Sequence, residues 1–377
     1  MLKILKYNNK NSLKYLELFL SKRKLIQQEK AFIVSKILKD VKKNGDKAVL
    51  KYEKKFSKIR TNSSKVFFSN KELNIIAKKT DKKIKQAIDL AYNRIKKFHS
   101  KQKFFSYKFK DKYKNELSYK YTALEKVGVY VPGGTASYPS TVLMNCIPAQ
   151  VAGVKDIFLT TPSLDSKINP AVVYAAKKCG VKKIYKTGGA HSIAALAYGT
   201  KNFVKVDKIV GPGNAFVASA KKEVFGEVGI DMIAGPSEVS VVADNSANPD
   251  FIAADLIAQA EHDTYAQSIF ISKNLQLINL VNLSLKKQLT KLPKKNIAFK
   301  SLKNYGLAIL ASSQNKIADS VNIIAPEHLE INFSKHTSLL SKIKNAGSIF
   351  IGKFSPEAMG DYIAGPNHVL PTSGSAK

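Results

Sequence analysis

The fold class can be read from residues 127–161, VGVYVPGGTASYPSTVLMNCIPAQVAGVKDIFLTT. Two short apolar runs, Val127–Val131 and Ile157–Thr161, lie on either side of a stretch near 141–153 that we predict to be a helix. A strand, a helix and a second strand in this order form the repeating unit of a parallel sheet. The segment therefore predicts an α/β protein with parallel sheets flanked by helices.

The same alternation continues through the rest of the chain. Further strands are predicted at Lys183–Tyr185, Lys208–Val210, Val239–Ala243, Ser268–Ser272, Leu307–Leu310 and Ser348–Ile351. Helices are predicted near 169–179, 191–198, 248–263, 274–289 and 314–320. The glycine-proline stretch Ala234–Ser237 is the expected crossing point between two sheets.

Residues 1–120 have a different pattern, because they are highly charged and carry apolar residues at helical spacing. Those residues are Ile33, Ile37 and Val41, and then Ile84, Ile88 and Ala91. We predict a mostly helical N-terminal region without a catalytic constellation. We interpret the lone His99 as a surface or hydrogen-bonded histidine.

Length and cysteine usage set the protein class. A chain of 377 residues exceeds the size at which one core usually stops growing, so we expect two domains. We find no secretory signal and no apolar run long enough to span a bilayer, so no membrane partner is expected. Cys146 and Cys179 have no disulfide-framework or CxxC spacing, which favours a reducing, cytoplasmic location.

The formal net charge of +34 raises nucleic-acid binding as an alternative function. Only Arg23, Arg60 and Arg94 are arginines, whereas recognition of bases and phosphates favours the arginine fork. We interpret the dispersed lysines as a solvated surface and expect no specific nucleic-acid partner. A lysine-rich nucleic-acid-binding protein would need a basic face with aromatic stacking positions.

The first candidate metal ligands are Gln259 and His262, three residues apart on the helix predicted near 248–263. Residues at this spacing share one helical face, so an amide oxygen and an imidazole could hold a metal with a third ligand from elsewhere. The alternative is a polar helix end.

A candidate acid/base pair follows Pro326. The carboxylate of Glu327 could activate a water molecule while the imidazole of His328 takes a proton from an alcohol. The alternative is that Pro326 begins a helix with Glu327 in its first turn.

A third candidate segment is the predicted loop after Ser348–Ile351. Loops at the carboxyl ends of parallel strands are where α/β proteins bind ligands. Asp361 could complete a mixed nitrogen and oxygen zinc site there, and His368 could contact a polar or anionic substrate group. The alternative is an ordinary turn.

Two glycine-rich turns, Val131–Gly134 and Val210–Asn214, each join an apolar strand to a helical stretch. Backbone N–H groups in such turns can approach a phosphate. Neither turn is a G-x-G-x-x-G fingerprint, so neither identifies a dinucleotide site by itself.

Taken together, these segments resemble the histidinol dehydrogenase family, from about Tyr121 to the end of the chain. The most specific block is Ile230–Val239 followed by Ala258–Asp263. The segments that also match are Val129–Gly134, Gly211–Asn214, Ala325–Glu330 and Gly360–Thr372.

The resemblance implies an NAD-dependent, zinc-assisted, four-electron oxidation of L-histidinol to L-histidine through the aldehyde. It implies that Gln259, His262 and Asp361 bind zinc and that Glu327 and His328 are catalytic. It implies substrate binding by Ser237, Gln259, His262, Glu327, Asp361 and His368. It implies nucleotide binding by Tyr130, His191 and Asn214.

The resemblance also implies the architecture, which is two incomplete Rossmann-like domains, one inserted into the other, in a homodimer that exchanges C-terminal elements. We place the inserted nucleotide-binding domain at 127–237. We place the discontinuous α/β domain, with most zinc-binding and catalytic residues, at 1–126 and 238–372. Residues 373–377 would begin a further C-terminal region.

Two features depart from the family pattern. The family usually has Gln where this chain has His191, which changes the reach and charge of a nucleotide contact. Family members also continue beyond Lys377 into a segment that gives a zinc-binding His and a substrate-binding Glu to the partner subunit. We therefore expect weakly held zinc, little or no turnover of histidinol and a loosened dimer. The alternatives are a truncated, catalytically impaired family member and, from the residue types alone, a zinc hydrolase.

Overall fold

The computed structural model describes residues 2–8, 10–23, 31–57, 66–102, 104–133, 138–163, 167–233, 235–293 and 295–377. Contacts divide the chain into two compact units, each with its own parallel sheet. The first unit contains Met1–Glu29, Ile233–Gly360 and Leu370–Lys377. The second unit contains Lys30–Met232 and Asp361–Val369.

The N-terminal part is mostly helical, as predicted. Its elements are β1 (Lys3–Tyr7), α1 (Lys10–Ser21), α2 (Ala31–Asn44), α3 (Asp46–Ser57), α4 (Asn70–Lys78), α5 (Lys82–His99), β2 (Tyr107–Lys110) and β3 (Glu116–Tyr119). The buried face of α2 includes Ile37 and Val41 of the predicted helical pattern. The third residue of that pattern, Ile33, is exposed, and the neighbouring Val34 is buried instead. The strand β1 and the antiparallel hairpin β2–β3 were not predicted.

The central part alternates strands and helices. Its elements are β4 (Lys126–Tyr130), α6 (Pro139–Val151), β5 (Asp156–Thr160), α7 (Pro170–Lys178), β6 (Lys183–Tyr185), α8 (Gly189–Tyr198), β7 (Lys208–Val210), α9 (Ala215–Val224) and β8 (Gly229–Ile230). The strands form one parallel sheet in the order β6-β5-β4-β7-β8. The chain moves outward from β4 in one direction and then from β7 in the other. The topological switch point therefore lies between these two strands.

The C-terminal part has the same alternation of strands and helices. Its elements are β9 (Glu238–Ala243), α10 (Pro249–Ala260), β10 (Gln267–Ser272), α11 (Leu275–Leu289), α12 (Lys295–Tyr305), β11 (Leu307–Ala311), α13 (Gln314–Ile324), β12 (His328–Asn332), α14 (Thr337–Leu340), β13 (Ser348–Ile351) and α15 (Glu357–Met359), followed by a π-helical turn at Gly360–Ala364. With β1, its strands form a parallel sheet in the order β1-β11-β10-β9-β12-β13.

Two parallel sheets flanked by helices confirm the predicted α/β fold class. Every residue of β9 and of β10 is buried, as expected for parallel strands covered on both faces. The compact units do not share the predicted domain limits, because residues 30–126 belong to the same unit as the central segment. That an inserted nucleotide-binding domain spans residues 127–237 stays a prediction. Within the described residues, no helix is both long and apolar enough to cross a bilayer.

Candidate active site

In the first unit, the amino ends of two neighbouring strands bring the predicted acid/base pair against the Ser237–Glu238 segment. Glu238 begins β9 and His328 begins β12, and the parallel pairing places His328 beside Val239. The alternative, in which Pro326 begins a helix, is wrong, since Glu327 precedes the buried strand β12. The residues that follow Glu327 form a strand because they pair with β9.

Glu327 is buried in this cluster, with 6% of its surface exposed. Its Oε2 accepts a hydrogen bond from the backbone N–H of Glu238 at 3.0 Å. Burial raises the pKa of Glu327 to about 8, although the nearby His328 acts in the opposite direction. A carboxyl group with such a pKa exchanges protons near neutral pH, as a general base must.

His328 is also buried, and its Nδ1 lies 3.2 Å from the backbone carbonyl oxygen of Glu238. A proton on Nδ1 would be donated to that carbonyl, which makes Nε2 the nitrogen that can accept a proton. Two carboxylates flank the same Nδ1, with Glu357 Oε1 at 3.7 Å and Glu327 Oε2 at 3.9 Å. This arrangement suits an imidazole that becomes positively charged during a reaction.

Glu357 is a buried carboxylate that was not predicted as a site residue. With the amide of Gln259 turned so that its nitrogen faces this residue, that nitrogen donates to Glu357 Oε1 at 3.1 Å and to Oε2 at 3.2 Å. The backbone N–H of Glu357 donates in turn to Glu330 Oε1 at 2.7 Å. The oxygen of Gln259 then points away from Glu357, which is the orientation that an oxygen ligand requires.

His262 does not share a helical face with Gln259, contrary to the prediction. Helix α10 ends at Ala260 with Glu261 at its C-cap, and His262 lies in the turn that follows. The two residues remain close through the backbone, because the N–H of His262 donates to the carbonyl oxygen of Gln259 at 3.2 Å. Gln259 itself is fully buried, which contradicts the alternative of a solvated polar helix end.

Ser237 and Glu238 are held from two sides of the same unit. The carbonyl of Ser237 accepts a hydrogen bond from the N–H of Gln267 at 3.0 Å. Arg23 forms a buried ion pair with Glu238 Oε1 at 2.6 Å, and the N–H of Ser373 donates to the same oxygen at 3.0 Å. Burial raises the pKa of Glu238, and Arg23 opposes that shift. Neither Arg23 nor Glu238 was predicted as a site residue.

Asp361 and His368 belong to the second unit and contact each other. Asp361 lies in the π-helical turn Gly360–Ala364, so the expected loop is wrong at this position. His368 Nδ1 lies 3.0 Å from the backbone carbonyl oxygen of Asp361. The neighbouring Asn367 donates to the carbonyl of Met144 at 2.9 Å, which attaches this segment to α6.

In the second unit, the residues predicted to contact the nucleotide lie at the carboxyl ends of strands. The hydroxyl oxygen of Tyr130, at the end of β4, accepts a hydrogen bond from the N–H of Gly189 at 3.1 Å. Burial raises the pKa of Tyr130 to about 12, while that N–H acts in the opposite direction.

His191 lies in the first turn of α8 and is paired with a buried carboxylate that was not predicted. Its Nε2 lies 2.7 Å from Glu53 Oε2, and the rings of Tyr52 and Phe56 each lie 6.2 Å from the imidazole. One ring nitrogen of His191 is therefore already engaged with the protein. The other nitrogen, Nδ1, is buried and has no hydrogen-bond partner within the described residues.

The turn after β7 combines a tight glycine with a helix cap. A Cβ on Gly211 would lie 2.2 Å from the carbonyl oxygen of Tyr130, so only glycine fits where β4 and β7 meet. Asn214 caps α9, with its side chain accepting from Phe216 N–H at 3.1 Å and Val217 N–H at 3.2 Å. A Cβ on Gly133 would lie 2.9 Å from the carbonyl oxygen of Pro162, whereas Gly134 and Ala234 lie outside the described residues.

Comparison with known proteins relates this geometry to one family. The family model described as histidinol dehydrogenase matches residues 20–377. A histidinol dehydrogenase of Pelagibacter ubique is 56% identical over all of this chain and 87% of its own length. One of Clostridium acetobutylicum is 50% identical over 90% of this chain and 79% of its own length. A crystal structure of histidinol dehydrogenase from Elizabethkingia anophelis has a TM-score of 0.92 and 38% identity, covering 100% of this chain and 86% of that one.

Proposed function

Because this chain belongs to the histidinol dehydrogenase family, we propose that it catalyses the four-electron oxidation of L-histidinol to L-histidine, with NAD as the oxidant and zinc as the bound metal. Family membership makes it an oxidoreductase of histidine biosynthesis. The observation that carries the finer proposal is the buried cluster of Glu327, His328 and Glu238 at the amino ends of β9 and β12.

The zinc ligands that we propose are Gln259, His262 and Asp361. This donor set fits zinc, which accepts mixed nitrogen and oxygen ligands. The pairing of the Gln259 nitrogen with Glu357 supports the proposal, since it leaves the amide oxygen for the metal. When bound between these residues, zinc would supply a Lewis acid that binds the substrate and orients it for reaction.

His328 would act first, as the base that removes the alcohol proton. Because Nδ1 lies beside the Glu238 carbonyl, we assign this role to Nε2. Removal of this proton would allow the carbinol carbon to give up a hydride to NAD, the oxidant, and so to become an aldehyde. The carboxylates of Glu357 and Glu327 near Nδ1 would stabilise the imidazolium that forms.

Glu327 would act in the second half, as the base that removes a proton from water. The hydroxide equivalent would add to the aldehyde carbon to give the hydrate anion, which would lose a hydride to a second NAD and a proton to His328 and so become the carboxylate. A pKa of about 8 leaves part of Glu327 deprotonated near neutral pH, which this step requires. We propose that Ser237 and His368 hold the substrate.

We propose that the nucleotide binds the second unit, at the carboxyl ends of β4 and β7. Ligands of open α/β sheets bind at such a topological switch point. Tyr130 and Gly211 lie there, and Asn214 begins the helix whose N-terminus would face the pyrophosphate. We also propose that His191, in the first turn of α8, lies at the nucleotide site.

We further propose a homodimer, as the resemblance implies, in the cytoplasm, as the cysteine spacing favours. The exposed aromatic side chains around the β2–β3 hairpin support an interface, because aromatic residues are enriched at protein contacts. These side chains are Phe104, Tyr107, Phe109, Tyr119 and Tyr121.

The experiment that tests this function is an assay of NADH formation with L-histidinol as the only reductant. The proposal expects two NADH per histidinol consumed and histidine as the product. The control is the Glu327→Gln/His328→Asn double variant, which should form no NADH above background. Absence of histidinol-dependent NADH with zinc supplied would instead favour a catalytically impaired member of the family.

A further inference from the structure

We propose that a buried ion pair, Lys221 with Asp231, is the positioning element of the nucleotide site. It would hold the peptide groups of Gly211 so that the turn Gly211–Asn214 keeps the shape that receives NAD. The inference rests on the proposed function, because it assumes that the nucleotide binds at this turn. Neither residue is expected to touch the reacting atoms.

The ion pair contacts both backbone polar groups of one glycine. Lys221 Nζ donates to the carbonyl oxygen of Gly211 at 2.9 Å, and Asp231 Oδ2 accepts from the N–H of the same residue at 2.7 Å. Lys221 and Asp231 are also bonded to each other through Nζ and Oδ1. The peptide groups on either side of the Gly211 Cα are therefore fixed by a single charged pair.

Gly211 is the residue at which such a constraint has the largest effect. Its φ is +109°, and an added Cβ would lie 2.2 Å from the carbonyl oxygen of Tyr130. The turn thus begins in a conformation that suits glycine alone, in contact with the end of β4. A small rotation here would move the whole segment between β7 and α9.

The pair also restrains the helix that follows the turn. Lys221 lies in α9, seven residues after the N-cap Asn214, so it ties the body of the helix back to the start of the turn. The side-chain oxygen of Asn214 is used by the cap, which leaves its exposed amide nitrogen as the group that can face a ligand. The position of that nitrogen depends on the turn and on the helix together.

Stability alone is a poor explanation for this pair. Lys221 is 2% exposed, and its burial lowers the pKa of the ammonium group, although Asp231 acts in the opposite direction. Desolvation commonly offsets the attraction within a buried ion pair, and replacing such a pair by apolar side chains is often neutral for stability. What apolar side chains could not reproduce is the pair of hydrogen bonds to Gly211.

The test uses a double replacement, Lys221→Met/Asp231→Leu, in the full chain, because removing only one partner would leave a buried unpaired charge. NAD binding is measured by calorimetry, alongside the melting temperature, the zinc content, and kcat and KM.

We expect the double variant to fold and to keep its zinc content. Its dissociation constant for NAD should rise about tenfold or more, which is the effect of losing one hydrogen bond to a charged group. At saturating NAD, kcat should be unchanged, whereas KM for NAD should rise. Should the double variant fail to fold, Lys221→Met/Asp231→Asn, which also removes both charges and keeps the shape of the Asp231 side chain, is measured in the same way.

The matched control is Lys178→Met, which breaks a half-exposed ion pair of the same unit, Lys178 with Asp89 at 2.7 Å, and should leave NAD binding unchanged. Normal NAD affinity in the folded double variant that is used, with both charges of the pair removed, would overturn the positioning role. The variant Asn214→Leu separates this result from a failure of the site itself. If Asn214→Leu weakens NAD binding while the ion-pair variant does not, only the positioning role is wrong. If neither does, the nucleotide binds elsewhere.

Discussion

The backbone N–H of Glu238 donates a hydrogen bond to the carboxylate of Glu327 over 3.0 Å. The carbonyl oxygen of the same Glu238 lies 3.2 Å from His328 Nδ1. One residue at the start of β9 therefore orients both members of the proposed acid/base pair through its main chain. Because main-chain groups do not titrate, this orientation should persist while the two side chains exchange protons.

The first prediction concerns the separate roles of the pair. Glu327→Gln should slow the oxidation of supplied histidinal more than the oxidation of histidinol to histidinal, because only the later half requires activated water. His328→Asn should slow both halves. Loss of a positioned acid or base costs about 10²–10⁴-fold in rate. Histidinal oxidised by Glu327→Gln as fast as by the parent chain would refute the role of Glu327.

The second prediction is the pH dependence of histidinal oxidation. Glu327 must be deprotonated to act as a base, and burial raises its pKa to about 8. The rate should therefore increase as pH rises through about 8, rather than level off near the usual carboxyl pKa of about 4.3. Bound metal and substrate place positive charge nearby, which shifts the rise to lower pH but does not change its sign. A rate that decreases over this range would contradict the assignment.

Stability should have the opposite pH dependence in the metal-free chain. Asp255 shares a hydrogen bond with Glu330, and burial raises its pKa to about 6, as it raises that of Glu327 to about 8. Both pKa values exceed those of the unfolded chain, so the folded protein binds more protons and stability falls as pH rises through this window. The melting temperature in chelator should decrease from pH 5 to pH 8.5. In Asp255→Asn, the melting temperature should fall less over this pH range. If it falls as much as in the parent chain, the carboxyl group of Asp255 is not a cause of the pH dependence.

The sequence predicted the fold class because its buried strands are continuous apolar runs. The predicted Lys183–Tyr185, Lys208–Val210 and Ser348–Ile351 are strands with the predicted limits. It did not predict β12, whose sequence His-Leu-Glu-Ile-Asn alternates polar and apolar residues although all five are buried. Polar residues inside a buried strand are a feature of the site, and local sequence cannot distinguish them from a solvated face.

The candidate site was only partly predictable for a related reason. Glu327 and His328 are adjacent in sequence, so their pairing could be inferred from the motif itself. Glu238 and Glu357 join them only because β9 and β12 are neighbours and because α15 turns back to Gln259. Glu53 reaches His191 from a helix 138 residues earlier. Contacts across such separations depend on the tertiary structure and leave no local pattern.

Glu357 provides a test of the proposed metal site that does not depend on turnover. Glu357→Leu should remove both acceptors for the Gln259 nitrogen and allow the amide to rotate, whereas Glu357→Gln keeps one acceptor. Loss of an outer-shell partner commonly lowers metal affinity 10–100-fold, so we expect zinc affinity to fall about that much for Leu and less for Gln. The zinc affinity of each variant is measured by competition with a coloured chelator.

The control for this test is Glu261→Gln, which changes a carboxylate next to His262 that makes no described contact with Gln259 through its side chain. Its zinc affinity should equal that of the parent. Equal zinc affinity in Glu357→Leu and the parent would mean that Glu357 does not orient the ligand.

The last prediction concerns Asn214, which has both a structural and a proposed functional role. Asn214→Leu should raise KM for NAD with little change in zinc content, because the amide nitrogen that would face the nucleotide is lost. The same change removes the N-cap of α9, which by itself costs about 1 kcal/mol of stability. Asn169→Leu is the matched control, since Asn169 caps α7 by accepting from the N–H of Ala171 at 2.8 Å. The Asn169→Leu variant should lower the melting temperature to a similar extent and leave KM for NAD unchanged.

A second variant, Asn214→Asp, keeps the capping oxygen but replaces the amide donor by a negative charge. Its KM for NAD should therefore rise while its stability is retained. If Asn214→Asp bound NAD as well as the parent chain, the rise in Asn214→Leu would reflect the lost cap, and the proposed contact with the nucleotide would be wrong.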